Sequence, residues 1–110
     1  MADPLFTAIA LKALDSLTAR SAVTAENIAN SGTPHYRPLR LNFEQALASA
    51  ATRGVGAVEA LQPTIAQDPG ELRLDLEMAT ASATQARYSA LIQVLDRQMQ
   101  LDDLMISGIR

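Results

Sequence analysis

The stretch that decides the fold is Glu26-Asn27-Ile28-Ala29-Asn30-Ser31-Gly32-Thr33-Pro34-His35-Tyr36. It predicts a helix end near Asn30, because Asn and Gly tolerate the left-handed conformation of a helix C-cap and Pro34 disfavours a helical Thr33. Asn27 falls inside the helical pattern, where an amide is an indifferent helix former, so we expect its side chain to bond a neighbouring backbone. The alternative, for either Asn, is a solvated residue at a fraying helix end.

An amino-terminal helix is predicted before this stretch, from about Asp3 to Asn30. Asp3 is an acidic cap, and Pro4 is tolerated in a first helical turn. Alternating spacings of three and four, typical of a coiled-coil seam, connect Thr7, Ala10, Leu14, Leu17, Ser21, Thr24 and Ile28. Because Ser21 and Thr24 are small, this seam favours tight packing among several helices over a stable two-helix coil.

A carboxy-terminal helix is predicted from near Met78 to about Ser107. One apolar stripe carries Tyr88, Ile92, Leu95, Met99, Ile106 and Ile109. A second set widens the apolar surface beyond what one partner helix covers, and comprises Leu91, Val94, Leu101, Leu104 and Met105. Packing of Leu14, Leu17 and Ile28 on Ile92, Leu95 and Met99 is the expected contact between the two helices.

Residues 33–76 are predicted to form an extended connecting segment with a short helix near 42–50, capped by Asn42. The stretch 53–56 is expected to be a flexible link or hinge. Leu72, Leu74 and Leu76 alternate with charged residues, a pattern that suits a short strand or an extended arm. The expected fold is therefore mainly all-α. Helices within 1–32 and 77–110 form an antiparallel coiled-coil hairpin in one assembly domain.

Composition narrows the function. The chain has 110 residues, 4% aromatic residues, no Trp and a net charge of -3, which favours a helical bundle and argues against nucleic acid binding. It has no Cys, so disulfides and thiolate chemistry are excluded. No uncharged apolar stretch reaches the ~20 residues of a membrane span, and no conventional signal peptide is recognisable. We expect a protein that stays in the cytosol or leaves it by another route.

Catalytic patterns are hard to find. His35 is the sole histidine, so a His-based metal cluster is impossible and a catalytic triad would need this one residue beside a proline turn. Asp102 and Asp103 lie about 100° apart on a helix and lack the Glu-x-x-His pairs of a bundle metal site. The segment Gly54-Val55-Gly56 is not a phosphate-binding loop, because it lacks the lysine and the following helix start of that motif. No catalytic, cofactor-binding or metal site is predicted, and we expect no enzyme activity.

The motif Asn27-Ile28-Ala29-Asn30, followed by Thr33-Pro34 and Tyr36 after a heptad helix, resembles the signature of the flagellar basal-body rod protein family. The resemblance extends through Asn42-Phe43-Glu44, Asp75-Leu76-Glu77-Met78 and the Leu-rich helix after Tyr88, so it covers roughly residues 5–48 and 72–110. Because no large insertion separates the two helices, the chain most resembles the short proximal rod subunits. The spacing and the acidic-Met segment favour the B-type of these subunits over the C-type. His35 departs from the pattern, since a Gly commonly follows the Pro there, and the middle segment is shorter than usual.

The resemblance implies a structural subunit of the proximal rod, located in the periplasmic part of the basal body and exported unfolded through the flagellar type III secretion channel. Its implied partners are copies of itself, other rod proteins, and adaptor proteins of the membrane ring and export gate. Asn27 and Asn30 are expected to bond backbone at a subunit contact. Alternatives are a C-type or other axial subunit, a soluble helical adaptor or export chaperone that folds alone, and an enzyme with a defined polar pocket.

Overall fold

Two long terminal helices dominate the molecule. The computed structural model describes residues 3–109, and its elements in chain order are α1 (Pro4–Ala29), β1 (Leu39–Asn42), α2 (Glu44–Ala51), α3 (Val55–Ala60), β2 (Thr64–Gln67) and α4 (Leu74–Ile109). The prediction of a mainly α fold is confirmed. The molecule is elongated, with extents of 64 × 26 × 14 Å.

Helices α1 and α4 run side by side in opposite directions. Asn27, near the end of α1, bonds Glu77 near the start of α4, and Leu17 lines the same groove as Tyr88. Continued at 1.5 Å per residue along both helices, this alignment brings Asp3 level with about residue 102. The last turns of α4 therefore extend roughly 10 Å beyond the start of α1.

Local signals at both ends of α1 explain its length. The Asp3 carboxylate accepts the Leu5 N–H at 3.0 Å, and Pro4 occupies the first helical position. At the other end, the Asn30 side chain donates to the Glu26 carbonyl at 2.9 Å. Asn30 has φ −100°, so the expected left-handed C-cap is wrong, because the Asn30 side-chain amide satisfies a terminal carbonyl instead. The left-handed residue of this stretch is His35, with φ 62°.

The middle segment is more structured than the extended connection predicted for residues 33–76. Strands β1 and β2 pair antiparallel, with Leu41 opposite Ile65, and the two short helices α2 and α3 lie between them in the chain. A small core lies between α1, β1, α2 and α3, and its buried members are Leu17, Val23, Leu41, Phe43, Leu47, Ala50 and Val58. The long-range strand pairing and the six-residue α3 were not predicted.

Three local predictions in this segment are wrong. Phe43, not Asn42, precedes α2, and the Glu44 carboxylate accepts the Phe43 N–H at 3.2 Å. The expected hinge at 53–56 is a tight connection between α2 and α3, in which Gly54 has φ 105°. The expected strand at 72–76 is helical from Leu74 onward, because α4 begins one turn earlier than the predicted start at Met78.

The face of α4 that packs on α1 follows a heptad spacing. Its least exposed residues, alternately four and three apart, are Glu77, Ala81, Thr84, Tyr88, Leu91, Leu95, Gln98 and Asp102. The predicted stripe shares Tyr88 and Leu95 with this seam. Its other two packing residues, Ile92 and Met99, lie beside the seam and are exposed, Met99 to 64%. Their predicted packing on α1 is therefore wrong within this chain.

The antiparallel alignment also decides which residues of α1 can meet those of α4. Leu17 is buried and Leu14 half-buried, as expected of packing residues. Ile28 follows Asn27 and so lies at the Glu77 end of the pair. Ile92 is ~22 Å further along α4, which rules out the predicted contact with Ile28.

Candidate functional site

The side chain of Asn27 is completely buried and uses its whole hydrogen-bonding capacity. Its amide nitrogen donates to the Leu39 carbonyl at 2.9 Å and to Glu77 Oε2 at 3.0 Å. Its amide oxygen accepts the Leu39 N–H at 2.9 Å and the Tyr36 hydroxyl at 3.2 Å. Two donors and two acceptor lone pairs are all that an amide side chain has. Asn27 thus binds the outer edge of β1 as a neighbouring strand would.

Glu77 completes this arrangement from the first turns of α4. The side chain is 1% exposed, and Oε1 accepts from the Arg40 guanidinium at 2.5 Å while Oε2 accepts from Asn27. Arg40 also contacts Asp68 at 3.3 Å, so the cation links β1 to the turn after β2. A buried carboxylate is tolerated only when it is paired and hydrogen-bonded, and both of its oxygens are. We call Asn27, Tyr36, Leu39, Arg40 and Glu77 the Asn27 network.

Local folding brings these residues together. Asn27 lies two residues before the last residue of α1, and the turn through His35 reverses the chain so that Leu39 returns beside it. Arg40 points away from Leu41, which is in the core, because successive residues of a strand face opposite sides. Glu77 lies in the first turn of α4, where the helix dipole favours a negative charge.

Tyr36 closes the network on the side of the turn. Burial raises the pKa of its phenol, and the negative charges of Glu26 and Glu77 raise it further. The hydroxyl therefore keeps its proton at neutral pH and acts as a hydrogen-bond donor to Asn27. Its chemistry is that of a structural contact.

A second contact holds β1 to α1 at Arg20, seven residues before Asn27. At 1.5 Å per residue, the two contacts lie about 10 Å apart along the helix. The Arg20 guanidinium donates to the Leu41 carbonyl at 3.0 and 3.1 Å, pairs with Glu44 at 2.6 Å, and lies 4.7 Å from the centre of the Phe43 ring. The hydrogen bond from Arg20 lowers the pKa of Glu44 to about 2. Strand β1 is thus bound through Leu39 by Asn27 and through Leu41 by Arg20.

The predicted motif residues divide into two groups. Asn27, Asn30, Thr33 and Tyr36 take part in hydrogen bonds within the turn or the Asn27 network, and the Thr33 hydroxyl donates to Asn30 at 3.1 Å. Ile28 is half-buried, whereas Ala29 and Pro34 are exposed. Both Asn side chains bond backbone, but of their own chain. Asn27 uses its whole side-chain hydrogen-bonding capacity within the chain, and its predicted role at a subunit contact stays a prediction.

Sequence reasoning missed the acidic and basic partners. The sequence alone marks Glu77 only as part of an acidic segment, and it marks neither Arg40 nor Arg20. One signal was available for Glu77, since it continues the heptad spacing of Ala81, Thr84 and Tyr88 and so falls on the buried face of α4. Nothing local to Arg40 indicates a partner 37 residues away.

Two depressions accompany these contacts. A groove of about 450 Å³ lies between α1 and α4 and is lined mainly by small and apolar side chains, among them Ala22, Ala25 and Tyr88. A polar cleft of about 240 Å³ lies beside the turn, and His35, Arg37 and Glu71 are among the residues that line it. Among residues 3–109, no group of acidic or imidazole side chains is arranged to hold a metal ion.

The carboxyl half of α4 carries exposed apolar side chains on both flanks of its α1-facing seam. One flank has Ile92, Met99 and Ile106, each seven residues apart, and the other has Val94 and Leu101 with the same spacing. Leu104, exposed to 68%, lies on the side of the helix away from α1. A helix that is apolar on several sides is normally buried by more than one neighbour. We call these six residues the α4 apolar flanks.

Comparison with known proteins adds no identification. No protein-family model matches the sequence, and no curated protein is significantly similar to it. Within the described range, none of the helices combines the length and hydrophobicity that a membrane crossing requires.

Proposed function

We propose that this chain is a structural subunit of the bacterial flagellar basal body, most similar to the B-type subunit of the proximal rod. In this role it polymerises through its terminal helices and transmits torque without catalysing a reaction. Its partners are copies of itself, other rod proteins, and adaptor proteins of the membrane ring and export gate. It reaches the periplasmic rod unfolded, through the flagellar type III secretion channel.

One observation carries the proposal. The segments that resemble the rod family are far apart in sequence, yet Asn27 and Tyr36 of the first, and Glu77 of the acidic segment, meet in one hydrogen-bonded network. Glu44, from the segment between them, binds the same helix through Arg20. A chance likeness of short motifs does not require them to converge around one strand.

The turn at His35 also favours the proposal. Members of the family commonly have Gly after the Pro of this motif, and His35 occupies a left-handed conformation with φ 62°. Glycine adopts that conformation without steric cost, whereas other residues are strained there. The departure in sequence therefore retains the backbone geometry for which a Gly is suited.

The α4 apolar flanks explain why assembly is the expected activity. Their six side chains are exposed on a helix that contacts mainly α1, and three of them lie near or beyond the end of that partner. Neighbouring helices in a rod would cover both flanks, and burying each large apolar side chain would contribute about 1.5–3 kcal/mol.

The test is to purify basal bodies from the bacterium that encodes this chain and to quantify the chain in them. A rod subunit remains in several copies after a high-salt wash, and deletion of its gene leaves basal bodies without a rod. An adaptor or export chaperone, the main alternative, remains in the cytoplasm and is absent from the washed particles. The second result would rule out the structural role.

A C-type or other axial position is the nearest alternative. Rod proteins assemble in a fixed order, so the position can be read from which partners are retained when this gene is deleted. Retention of the other proximal subunits below the break would contradict a B-type position.

A further inference from the structure

The outer edge of β1 is hydrogen-bonded to side chains of α1. Asn27 bonds both the N–H and the carbonyl of Leu39, and Arg20 bonds the carbonyl of Leu41. In an antiparallel pair, the backbone groups of alternate residues point to opposite sides. Because the backbone N–H and carbonyl groups of Leu39 and Leu41 point away from β2, Arg40 and Asn42 are the residues whose backbone groups exchange hydrogen bonds with β2.

The same alternation determines which groups of β2 are free. Arg40 is opposite Ala66, and Asn42 is opposite Thr64, so Ala66 and Thr64 bond β1. The Asp68 N–H, which donates to the Pro38 carbonyl at 2.8 Å, continues this pattern. The N–H and carbonyl groups of Ile65 and Gln67 therefore point away from β1. This outer edge of β2 has no strand beside it among residues 3–109.

Exposed strand edges recruit other strands unless charges or prolines protect them. All four residues of β2 are uncharged and exposed, with Ile65 exposed to 54%. Pro63 precedes the strand and Asp68 follows it, but the Asp68 carboxylate is engaged by Arg40 and by the Gly70 N–H. Neither residue blocks the edge between them.

We propose that the β2 edge binds the β2 edge of a second copy of this chain, in an antiparallel pair centred on Ala66. In this register Ile65 lies opposite Gln67 of the other copy, so the outward N–H and carbonyl groups on both sides are matched. Ala66 faces its own counterpart at a non-hydrogen-bonded position, where strands approach most closely and a small side chain fits. No like charges lie opposite each other within the four residues.

The apolar side chains agree with this register. Opposite residues of a strand pair share a face, so Ile65 lies on the same face as Leu41, which is in the core. In the paired form the two Ile65 side chains are diagonal neighbours across the central Ala66 pair, within reach of each other. The result is a four-stranded sheet whose two cores lie on one face. This two-fold pair is closed and does not depend on the proposed rod function.

The absence of cysteine from the chain allows a direct test by a single-cysteine variant. In the proposed register the two residues 66 lie about 4.5 Å apart, within the range that a disulfide spans. Oxidation of the variant Ala66→Cys is expected to give a covalent dimer whose yield rises with protein concentration. Thr64→Cys is the matched control, because the two residues 64 would be roughly 13 Å apart and cannot be bridged.

A second variant separates edge pairing from loss of the fold. Gln67→Pro removes an N–H that points away from β1, so the β1–β2 pair and the helices should remain. Introduced into the Ala66→Cys chain, it is expected to reduce the covalent dimer at least tenfold while the circular dichroism spectrum stays the same. Equal cross-linking of Ala66→Cys and Thr64→Cys would overturn the proposal. So would a monomeric Ala66→Cys chain at every concentration, which would leave the edge to an extended segment of another protein.

Discussion

The two ends of the α1–α4 pair use opposite ways of burying surface. At one end, the Asn27 network surrounds a buried carboxylate and a buried amide with partners from the same chain. At the other, α4 extends past α1 with large apolar side chains exposed. The first end is complete in a single molecule, whereas the second gains stability only when another surface covers it. Changes at the two ends should therefore affect different properties, folding at the first and association at the second.

The largest effect on folding is expected from Asn27→Asp. The variant loses both donors and brings a second carboxylate within about 3 Å of Glu77, so the free energy of unfolding should fall by about 4 kcal/mol at neutral pH. Repulsion raises the pKa of the new carboxyl in the folded chain, so the lost stability should return partly as the pH falls toward about 4, where the unfolded carboxyl also takes up its proton. Urea denaturation followed by far-UV circular dichroism measures both. Asn30→Asp, at the partly exposed end of α1, is the control, and an equal loss there would contradict a special role for Asn27.

Removing the carboxylate should have the next largest effect. Glu77→Ala leaves Arg40 and the Asn27 amide without their buried acceptor, and we expect a loss of about 2–3 kcal/mol in the free energy of unfolding. Arg40 remains partly solvated, which makes the loss smaller than for Asn27→Asp. The exposed Glu71 provides a control, since Glu71→Ala should change stability by less than about 0.5 kcal/mol. Similar losses in both variants would mean that Glu77 stabilises the fold only as a negative charge near the start of α4, and that its ion pair with Arg40 adds nothing.

Acid titration should detect the Arg20–Glu44 contact with a smaller effect. The pKa of Glu44 is lowered from 4.5 to about 2, so its contribution is present above pH 4.5 and is lost as the pH falls toward 2. The carboxylate is half exposed, and we expect only about 1 kcal/mol after solvent screening. Comparing the unfolding free energies of the natural chain and Glu44→Gln across this range isolates the contribution. A constant difference between them down to about pH 2 would contradict the lowered pKa.

The smallest effect on folding, and the largest on association, is expected at the α4 apolar flanks. The double variant Leu101→Ser, Leu104→Ser should change the free energy of unfolding of the monomer by no more than about 0.5 kcal/mol, because both side chains are already exposed. Its self-association in a sedimentation series should fall below that of the natural chain. Gln93→Ser, Gln100→Ser on the polar side of the same helix is the matched control. A stability loss confined to the leucine variant would mean that the chain itself buries this surface.

Predictability followed the range of the interactions. The limits of α1 were within reach of the sequence because Asp3, Pro4 and Asn30 act on their nearest neighbours. The strand pair was not, since Leu41 and Ile65 meet only after two intervening helices. The three alternating leucines at 72–76 led to the wrong prediction of a strand, because a period of two over so few residues cannot be distinguished from the start of a helix.

Only half of the candidate site could be predicted from the sequence, for the same reason. The motif residues Asn27 and Tyr36 were identified from the sequence, but the identity of their partners required the tertiary fold. Reading the α4 seam from its apolar residues alone gave Ile92 and Met99, because the polar residues Glu77, Thr84 and Gln98 that belong to it were discounted.

The Asn27–Glu77 contact spans 50 residues, and this separation imposes an order of events in time. A ribosome that has made only the first two thirds of the chain has produced the amide, the tyrosine and the arginine but not the carboxylate that joins them. At a synthesis rate of about 5–20 residues per second, the growing chain spends several seconds without its closing residue. The amino-terminal part therefore lacks its contact with α4 through most of the synthesis of the chain. The fold becomes complete only when the start of α4 has emerged.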